Sequence, residues 1–289
     1  MIARADTSTF VYTFNDRKYD LSARTHIMGI LNVTPDSFSD GGRFLDAERA
    51  VARGLAMAKE GADIIDVGGE SSRPGSDPIP LEEECRRVLP VIERLAGETS
   101  VPVSVDTYKS EVAARALDAG AVIVNDISGL HFDSRLADVA AEHGASIVLM
   151  HMQGSPKTMQ VDPAYEDLIG EIRSYLQQGI TLAESKGIGQ IFVDPGIGFG
   201  KTLQHNLEII RNLSEFHSLG YPVLVGPSRK SFIGMISNVP VDKRMEGTAA
   251  AVAAAIMNGA HIVRVHDVAQ MKRVAEVADA VVRTPPPGA

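Results

Sequence analysis

The chain has 289 residues, a formal net charge of −9 and a single cysteine, Cys85. A lone cysteine excludes an internal disulfide framework, and an acidic chain without a basic run argues against a nucleic-acid partner. No apolar stretch approaches the roughly 18 residues that a membrane span needs, and the polar residues 1–10 are not typical of a signal peptide. We therefore expect a cytoplasmic protein that binds neither nucleic acid nor membrane.

The first predicted element is a short β-hairpin over residues 10–21, in which residue polarity alternates on both sides of Asn15-Asp16. A repeat then runs through the rest of the chain, because helix-like segments end in glycine and pass directly into apolar runs. The glycines at these junctions are Gly61, Gly120, Gly144, Gly187, Gly220 and Gly259. Glycine suits the left-handed position after a helix, and apolar runs without alternation are typical of parallel strands buried on both faces.

The repeat predicts eight strands and eight helices. The strands lie at residues 27–31, 64–67, 101–105, 122–124, 147–150, 191–193, 223–225 and 262–265. The helices lie at residues 47–59, 81–95, 111–117, 134–142, 165–185, 203–216, 247–257 and 268–282. Eight alternating units favour an α/β fold of the (β/α)8 TIM-barrel type, and a doubly wound sheet is the alternative. We divide the chain into an N-terminal extension with the hairpin (1–25), one barrel (26–283) and a disordered proline-rich tail (284–289).

Polar residues follow every predicted strand. They are Asn32, Asp66, Asp106, Asn125 with Asp126, His151, Asp194, Ser228 with Arg229 and Lys230, and Arg264 with His266. In barrels of this type the active site lies at the C-terminal ends of the strands. Some of these residues could cap helices or pair with one another. A complete ring of them predicts a ligand, because buried polar groups need partners.

Two long segments rich in Gly, Ser and Pro follow the first two strands, at residues 33–45 and 68–80. They are too long for simple connections. We interpret them as lids that exclude water from the site, and ordinary surface loops are the alternative.

Several weaker signals do not predict a site. Only three residues separate Gly196 from Gly200, so this glycine-rich stretch fails the P-loop pattern, and Lys230 replaces the final glycine of a nucleophile elbow. Cys85 lies on a highly charged predicted helix, which argues against thiol chemistry. His151, between two methionines, fits either a structural or a site role. Metal-ligand spacing of His or Cys is missing from the sequence.

Eight stretches together resemble the dihydropteroate synthase family of the folate pathway, over residues 27–282. The stretches are residues 28–42, 66–75, 104–107, 125–127, 150–154, 194–201, 228–231 and 264–267. In the second loop Ser72 stands where the family usually has threonine, and the hydroxyl is retained. The resemblance implies a transferase that condenses 6-hydroxymethyl-7,8-dihydropterin pyrophosphate with p-aminobenzoate to give 7,8-dihydropteroate and pyrophosphate.

The resemblance also implies roles for individual residues. The pterin would contact Asp106, Asn125, Met150, Asp194, Lys230 and Arg264. The pyrophosphate would contact Asn32, Arg73, Arg264 and His266, with Asn32 also a ligand of Mg²⁺. The p-aminobenzoate would contact Phe38, Ser72, Arg73, Pro74, Lys230 and Ser231. The catalytic residues would be Asp36, Arg73, Asp106 and Lys230.

These residue types suit the reaction. A carboxylate such as Asp194 can accept two parallel hydrogen bonds from the amide-like edge of a pterin. An SN1-like mechanism needs a stabilised leaving group more than a strong base, and lids would protect the cation from water. The resemblance further implies a homodimer and inhibition by sulfonamides. The alternatives are a methyltetrahydrofolate-dependent methyltransferase domain and a non-catalytic pterin-binding protein.

Overall fold

The computed structural model describes residues 9–34 and 43–283. In this part of the chain, the elements in order are β1 (Val11–Phe14), β2 (Arg17–Asp20), β3 (His26–Asn32), α1 (Arg43–Glu60), β4 (Ile64–Gly68), α2 (Leu81–Glu98), β5 (Val103–Asp106), α3 (Ser110–Asp118), β6 (Ile123–Asp126), α4 (Arg135–Glu142), β7 (Ser146–Met150), α5 (Leu168–Ser185), β8 (Ile191–Asp194), α6 (Leu203–Arg211), β9 (Leu224–Val225), α7 (Ser231–Ser237), α8 (Met245–Met257), β10 (Ile262–Val265) and α9 (Val268–Arg283). Two 3₁₀ helices, Leu213–Leu219 and Val241–Lys243, flank β9 and α7.

Strands β3 to β10 form one parallel sheet in the order β8-β7-β6-β5-β4-β3-β10-β9. A parallel bridge between Val193 and Val223 joins the β8 end to the β9 end and closes the ring. Helices follow the strands around the outside. The predicted (β/α)8 barrel is therefore confirmed.

The N-terminal hairpin fills the lower end of this barrel. Asn15 and Asp16 both have positive φ (48° and 60°), as a two-residue hairpin turn between β1 and β2 requires. Its apolar side chains pack inside the barrel on the first inward-facing layer of the strands. This plug consists of Phe10, Tyr12, Phe14, Leu21, Met28, Ile64, Ile123, Val148, Phe192, Leu224 and Ile262. The Tyr12 hydroxyl donates to the Ile191 carbonyl at 2.7 Å, so a polar atom in the plug is satisfied by the sheet.

The same register that builds the plug also builds the site. Side chains two residues apart on a strand share a face, so the next inward layer lies directly above the plug. This layer is polar where the plug is apolar, since Asp66 follows Ile64, Asn125 follows Ile123, Asp194 follows Phe192 and Arg264 follows Ile262. The barrel interior thus changes from hydrocarbon to ionisable groups at the middle of the strands.

All six predicted junction glycines have positive φ, between 60° and 107°. The left-handed conformation ends each helical segment and starts the next strand, as the repeat predicts. A larger apolar cluster lies between strands and helices, where residues such as Ile65 of β4 and Ile92 of α2 are fully buried. No helix within residues 9–34 and 43–283 is long and apolar enough to span a membrane.

Several predicted helices have other bounds in the structure, and one helix is additional. The helix predicted at 203–216 ends at Arg211, where the Asn212 side chain donates to the Glu208 carbonyl and the chain continues as a 3₁₀ helix. The helix predicted from 165 begins at Leu168, because Asp167 caps it by accepting from Gly170 N at 3.1 Å. Helix α7 was not predicted. The predicted tail at 284–289 lies outside the described residues.

Candidate active site

A cavity of about 340 Å³, including its solvent-open part, lies at the C-terminal end of the barrel strands. It is lined by Ser72, Asp106, Asn125, Ile127, Met150, Asp194, Ile197, Phe199, Gly226, Lys230 and Arg264. Every predicted pterin contact therefore lines one cavity. The binding roles themselves remain predictions.

Asp194 ends β8 and is held by its own chain. Its Oδ1 accepts from Gly196 N at 2.7 Å, and Gly196 adopts a positive φ of 72° to make that turn. Burial raises the pKa of Asp194 to about 6, against the Gly196 hydrogen bond and the charges of Lys230, Lys201 and Arg264, which lower it. The group is therefore mainly a carboxylate at pH 7, with Oδ2 available as an acceptor.

Arg264 on β10 lies between two carboxylates, Asp66 of β4 and Asp106 of β5. Its Nε donates to Asp66 Oδ2 and its Nη2 to Asp106 Oδ2, each at 2.6 Å. Burial lowers the pKa of Arg264, but Asp66 and Asp106 outweigh this effect and raise it above its usual value. The planar guanidinium is thereby fixed as a permanent charge on the cavity wall.

Lys230 supplies the second cation. Its Nζ lies 4.0 Å from the centroid of the Phe199 ring, a cation–π contact. Burial and the neighbouring Arg264 lower the pKa of Lys230 to about 7, whereas Asp194 and Asp106 raise it. Burial also raises the pKa of Asp106 to about 7, although Arg264 lowers it. Burial thus opposes the charged form of both groups, whereas the opposite charges around them favour it.

The turn that carries Lys230 is held from two sides. Arg229 has a φ of 56°, which is unusual for a residue with a side chain, and its guanidinium makes two hydrogen bonds to Asp267 at 2.6 and 3.0 Å. Its backbone N donates to Thr248 Oγ1 at 3.0 Å, and its carbonyl accepts from Arg244 Nη1 at 3.0 Å. These bonds keep Lys230 directed into the cavity.

His266 and Ser231 lie at the mouth of the barrel rather than on the cavity wall. Ser228 Oγ lies 2.9 Å from His266 Nδ1 and accepts from the backbone N of His266. Burial and the charge of Arg264 lower the pKa of His266 to about 3. His266 is therefore neutral at pH 7 and can offer an N–H donor but no positive charge. Ser231 is exposed at the first residue of α7.

The second predicted lid, residues 68–80, is attached at its base and near its tip. Glu70 Oε2 accepts from Lys109 Nζ at 2.6 Å and from Ile79 N at 3.0 Å, and Lys109 also donates to the Ile79 carbonyl at 2.8 Å. Near the tip, Gly75 N donates to the Pro156 carbonyl at 3.0 Å. Ser72 reaches the cavity, whereas Arg73 and Pro74 are exposed.

The first lid is described only in part. Asn32, at the end of β3, is partly exposed at the barrel mouth and pairs in register with Gly68. Asp36 and Phe38 lie outside the described residues. Within residues 9–34 and 43–283, no group of three or more His, Cys, Asp or Glu is arranged to hold a metal.

Sequence reasoning missed several residues of the site. Ile127, Ile197 and Phe199 line the cavity, and all three lie inside stretches that carry the family resemblance. Their side-chain directions depend on glycine-rich turns that give no periodic signal.

Of the two roles that the sequence allows for His151, the structure favours the structural one. Its Nδ1 lies 2.9 Å from the buried Nζ of Lys201. Burial and Lys201 lower the pKa of His151 to about 2, so His151 is neutral at pH 7, and its contact with Lys201 anchors the glycine-rich turn.

Comparisons with known proteins agree with this geometry. The family model described as "Pterin binding enzyme" matches residues 28–266. The dihydropteroate synthase of Synechocystis sp. is 50% identical over 268 residues, which cover 92% of this chain and 93% of that protein.

Two solved structures are similar over nearly all of the chain. A Yersinia pestis dihydropteroate synthase in complex with a sulfonamide drug is 42% identical, with a TM-score of 0.89, and the match covers 95% of this chain and 100% of that one. A Xanthomonas albilineans dihydropteroate synthase with 4-aminobenzoic acid is 43% identical, also with a TM-score of 0.89, over 96% of this chain and 100% of that one. The chain belongs to the pterin-binding enzymes and, within them, to the dihydropteroate synthases, which are transferases.

Proposed function

We propose that the cavity binds 6-hydroxymethyl-7,8-dihydropterin pyrophosphate and joins it to p-aminobenzoate, with release of pyrophosphate. The observation that carries this proposal is the set of acceptors, donors and cations around one cavity above an apolar plug, namely Asp106, Asn125, Asp194, Lys230 and Arg264. The Yersinia pestis and Xanthomonas albilineans relatives, with a sulfonamide drug and with 4-aminobenzoic acid, support the second substrate.

The pterin would lie flat in the cavity with its amide-like edge toward Asp194. One carboxylate can accept from the ring N–H and the exocyclic amine together. Asn125 offers a donor and an acceptor to the next edge of the ring, and Lys230 can donate to the ring carbonyl. The flat guanidinium of Arg264 can stack on the ring, since Asp66 and Asp106 hold its plane.

The leaving pyrophosphate needs positive charge, although the chain as a whole has a net charge of −9. Arg264 provides a fixed charge at the cavity wall, and the exposed Arg73 lies on the adjacent loop. A neutral His266 can add an N–H donor. Together they would stabilise the negative charge that develops as the carbon–oxygen bond breaks.

The electron-rich dihydropterin ring can stabilise the resulting cation, so we propose an SN1-like reaction. The aromatic amine then attacks the exocyclic CH₂ and loses a proton. Asp106, whose pKa is raised by burial to about 7, can accept this proton, while Lys230 stays a hydrogen-bond donor to the ring. The two loops, with Ser72, Arg73, Pro74 and Phe38, would exclude water and orient the p-aminobenzoate beside Ser231.

Mg²⁺ is the proposed cofactor, and the donor set is compatible with it. Mg²⁺ usually keeps several waters and takes one or two protein oxygens together with phosphate oxygens. Asn32 at the barrel mouth can supply such an oxygen, and Asp36 is the predicted neighbour on the same loop. When bound, the metal would neutralise part of the charge on the pyrophosphate.

We propose that the protein acts in the cytoplasm as a homodimer that sulfonamides inhibit. Support for the dimer comes from four large apolar residues that are exposed close together in sequence, Met235 and Ile236 on α7, Val241 between α7 and α8, and Met245 at the start of α8. Exposed apolar patches of this kind are typical of protein interfaces.

The test is release of pyrophosphate from the dihydropterin substrate by the purified protein. We expect release only when p-aminobenzoate and Mg²⁺ are both present. Release without p-aminobenzoate would mean hydrolysis, and pterin binding without release would favour a non-catalytic protein. Methyl transfer from methyltetrahydrofolate would favour the methyltransferase alternative.

A further inference from the structure

Asp66 is fully buried on β4 and does not belong to the cavity wall, yet it touches two residues that do. Its Oδ2 accepts from Asn125 Nδ2 at 2.9 Å and from Arg264 Nε at 2.6 Å. Its Oδ1 has no hydrogen-bond partner among the residues that the structure describes. Both donors therefore converge on one oxygen below the cavity.

We propose that Asp66 is a positioning residue that fixes the donor–acceptor pattern which the cavity presents to the pterin. This inference rests on the proposed function, because it assumes that Asn125 and Arg264 contact the pterin ring. Asp66 itself would not contact the substrate.

Asp66 fixes the orientation of the Asn125 carboxamide through the hydrogen bond between them. An ionised carboxylate can only accept hydrogen bonds, so the amide NH₂ of Asn125 must face Asp66. The carbonyl oxygen of Asn125 then has to point elsewhere, and it can act as an acceptor for a ring N–H. With a partner that could both donate and accept, the carboxamide could turn over and offer the reverse pattern to the ligand.

Asp66 also fixes the plane of the Arg264 guanidinium. Asp66 holds Nε and Asp106 holds Nη2, so two points of the guanidinium are fixed. If only Asp106 remained, the group could rotate about that single contact. The flat face would then be less well aligned with a bound ring.

Asp66→Asn is the direct test, because the variant keeps the shape but can pair with either orientation of Asn125. Binding of 6-hydroxymethyl-7,8-dihydropterin is measured by calorimetry for the wild type, Asp66→Asn, Asn125→Ala and the double variant. We expect Asp66→Asn to raise Kd at least tenfold with a stoichiometry near one. We also expect the double variant to lose at least fivefold less affinity than the product of the two single losses.

Ser104→Ala is the matched control. Ser104 pairs in register with Asp66, is fully buried and also has an Oγ without a hydrogen-bond partner in the described residues. We expect its removal to change Kd less than twofold. A loss equal to that of Asp66→Asn would mean that any change in this layer disturbs the cavity, and would overturn the proposal.

The proposal would also be overturned if Asp66→Asn bound the pterin with the wild-type Kd. The same holds if the affinity lost by the double variant equals the product of the two single losses. If Asp66→Asn does not fold, Asp66→Ala is judged by the same two thresholds. The KM for p-aminobenzoate separates positioning from general damage, since we expect it to change less than twofold. Normal pterin binding by Asn125→Ala would instead refute the proposed pterin site.

Discussion

Lys109 at the start of α3 is joined to Glu70 of the second lid by a 2.6 Å hydrogen bond between Nζ and Oε2. The same ammonium donates to Glu84 Oε2 at 2.6 Å and to the Ile79 carbonyl at 2.8 Å. Glu70 and Ile79 are the two ends of the lid segment that contains Ser72 and Arg73. One half-buried cation therefore holds both ends of that segment together.

Lys109→Met should loosen the lid without changing the pterin cavity. Because the buried Glu84 would lose its cationic partner, and Glu70 with it, we expect the free energy of unfolding to fall by on the order of 3 kcal/mol. We expect the KM for p-aminobenzoate to rise at least fivefold and the pterin Kd to change less than twofold. Lys157→Met is the control, since its pair with Asp77 is exposed and such pairs contribute about 1 kcal/mol or less. Equal effects on both substrates would contradict this role of Lys109.

Arg73→Ala should impair turnover and p-aminobenzoate binding more than pterin binding. Arg73 is exposed on the lid, whereas the predicted pterin contacts line the cavity. Calorimetry with each ligand separately, together with steady-state kinetics, measures the difference. A matching loss of affinity for both ligands would count against the assignment of Arg73 to the second substrate.

Asp194→Ala should remove pterin binding and leave the fold intact. Losing a bidentate acceptor for two N–H groups should cost about 3 kcal/mol or more of binding free energy, which is more than a hundredfold in Kd. The circular dichroism spectrum and the urea midpoint check the fold. The exposed Glu93→Gln on α2 is a control that should bind pterin normally. Pterin affinity close to wild type in folded Asp194→Ala would refute the assignment.

Acid should destabilise the protein in part through His26. Burial lowers the pKa of His26 to about 4, and its Nδ1 lies 3.1 Å from the Arg24 carbonyl. Between pH 6.5 and about 4 the unfolded chain binds a proton at this position and the folded chain does not. Stability therefore falls with falling pH in this window, by about 1.4 kcal/mol per pH unit from this group.

His26→Asn should remove that contribution and make the pH dependence shallower by the same amount. Urea unfolding of both proteins at pH 7, 6 and 5 measures the two slopes. The pterin Kd at pH 7 serves as the control, because His26 lies at the lower end of the barrel. Parallel slopes for the two proteins would show that the pKa of His26 is the same in the folded and unfolded states.

The proposed dimer predicts that Ile236→Glu gives a monomer. Ile236 is 57% exposed on α7, and a charge there would be buried in an interface that uses this patch. Val277→Glu on α9 is the control, since Val277 is 68% exposed elsewhere on the surface. Sedimentation velocity of both variants measures the assembly. A dimer that survives Ile236→Glu and dissociates with Val277→Glu would place the interface on the other face.

The barrel was predictable because its signals are local. Gly61 and Gly259 mark helix ends through their backbone conformation alone, and the apolar runs that follow need no knowledge of their neighbours. The inward position of Asp194 follows from a simple count of two residues beyond Phe192. Helix α7 was missed because its seven residues are mainly apolar and its N-cap residue, Lys230, makes no side-chain capping bond.

The electrostatic state of the site could not be predicted in the same way. His266, a predicted pyrophosphate contact, is neutral because it is buried beside Arg264. Phe199 contacts Lys230 only because turns at Gly198 and Gly200 direct the ring into the cavity. These properties depend on the distance between strands that are far apart in the chain. The ligand contacts of Asp36 and Phe38 remain predictions.

The apolar plug at the bottom of the barrel determines the route by which ligands enter and leave the site. Phe14, Phe192 and their neighbours close the lower exit, so molecules come and go through the upper mouth. A pterin against Asp194 would occupy the deep end of this blind passage, and the lid residues lie nearer its entrance. If p-aminobenzoate binds nearer the entrance, the pterin has to bind before it. The hairpin would then contribute to the order of substrate binding as much as the loops do, because it closes the lower end of the barrel.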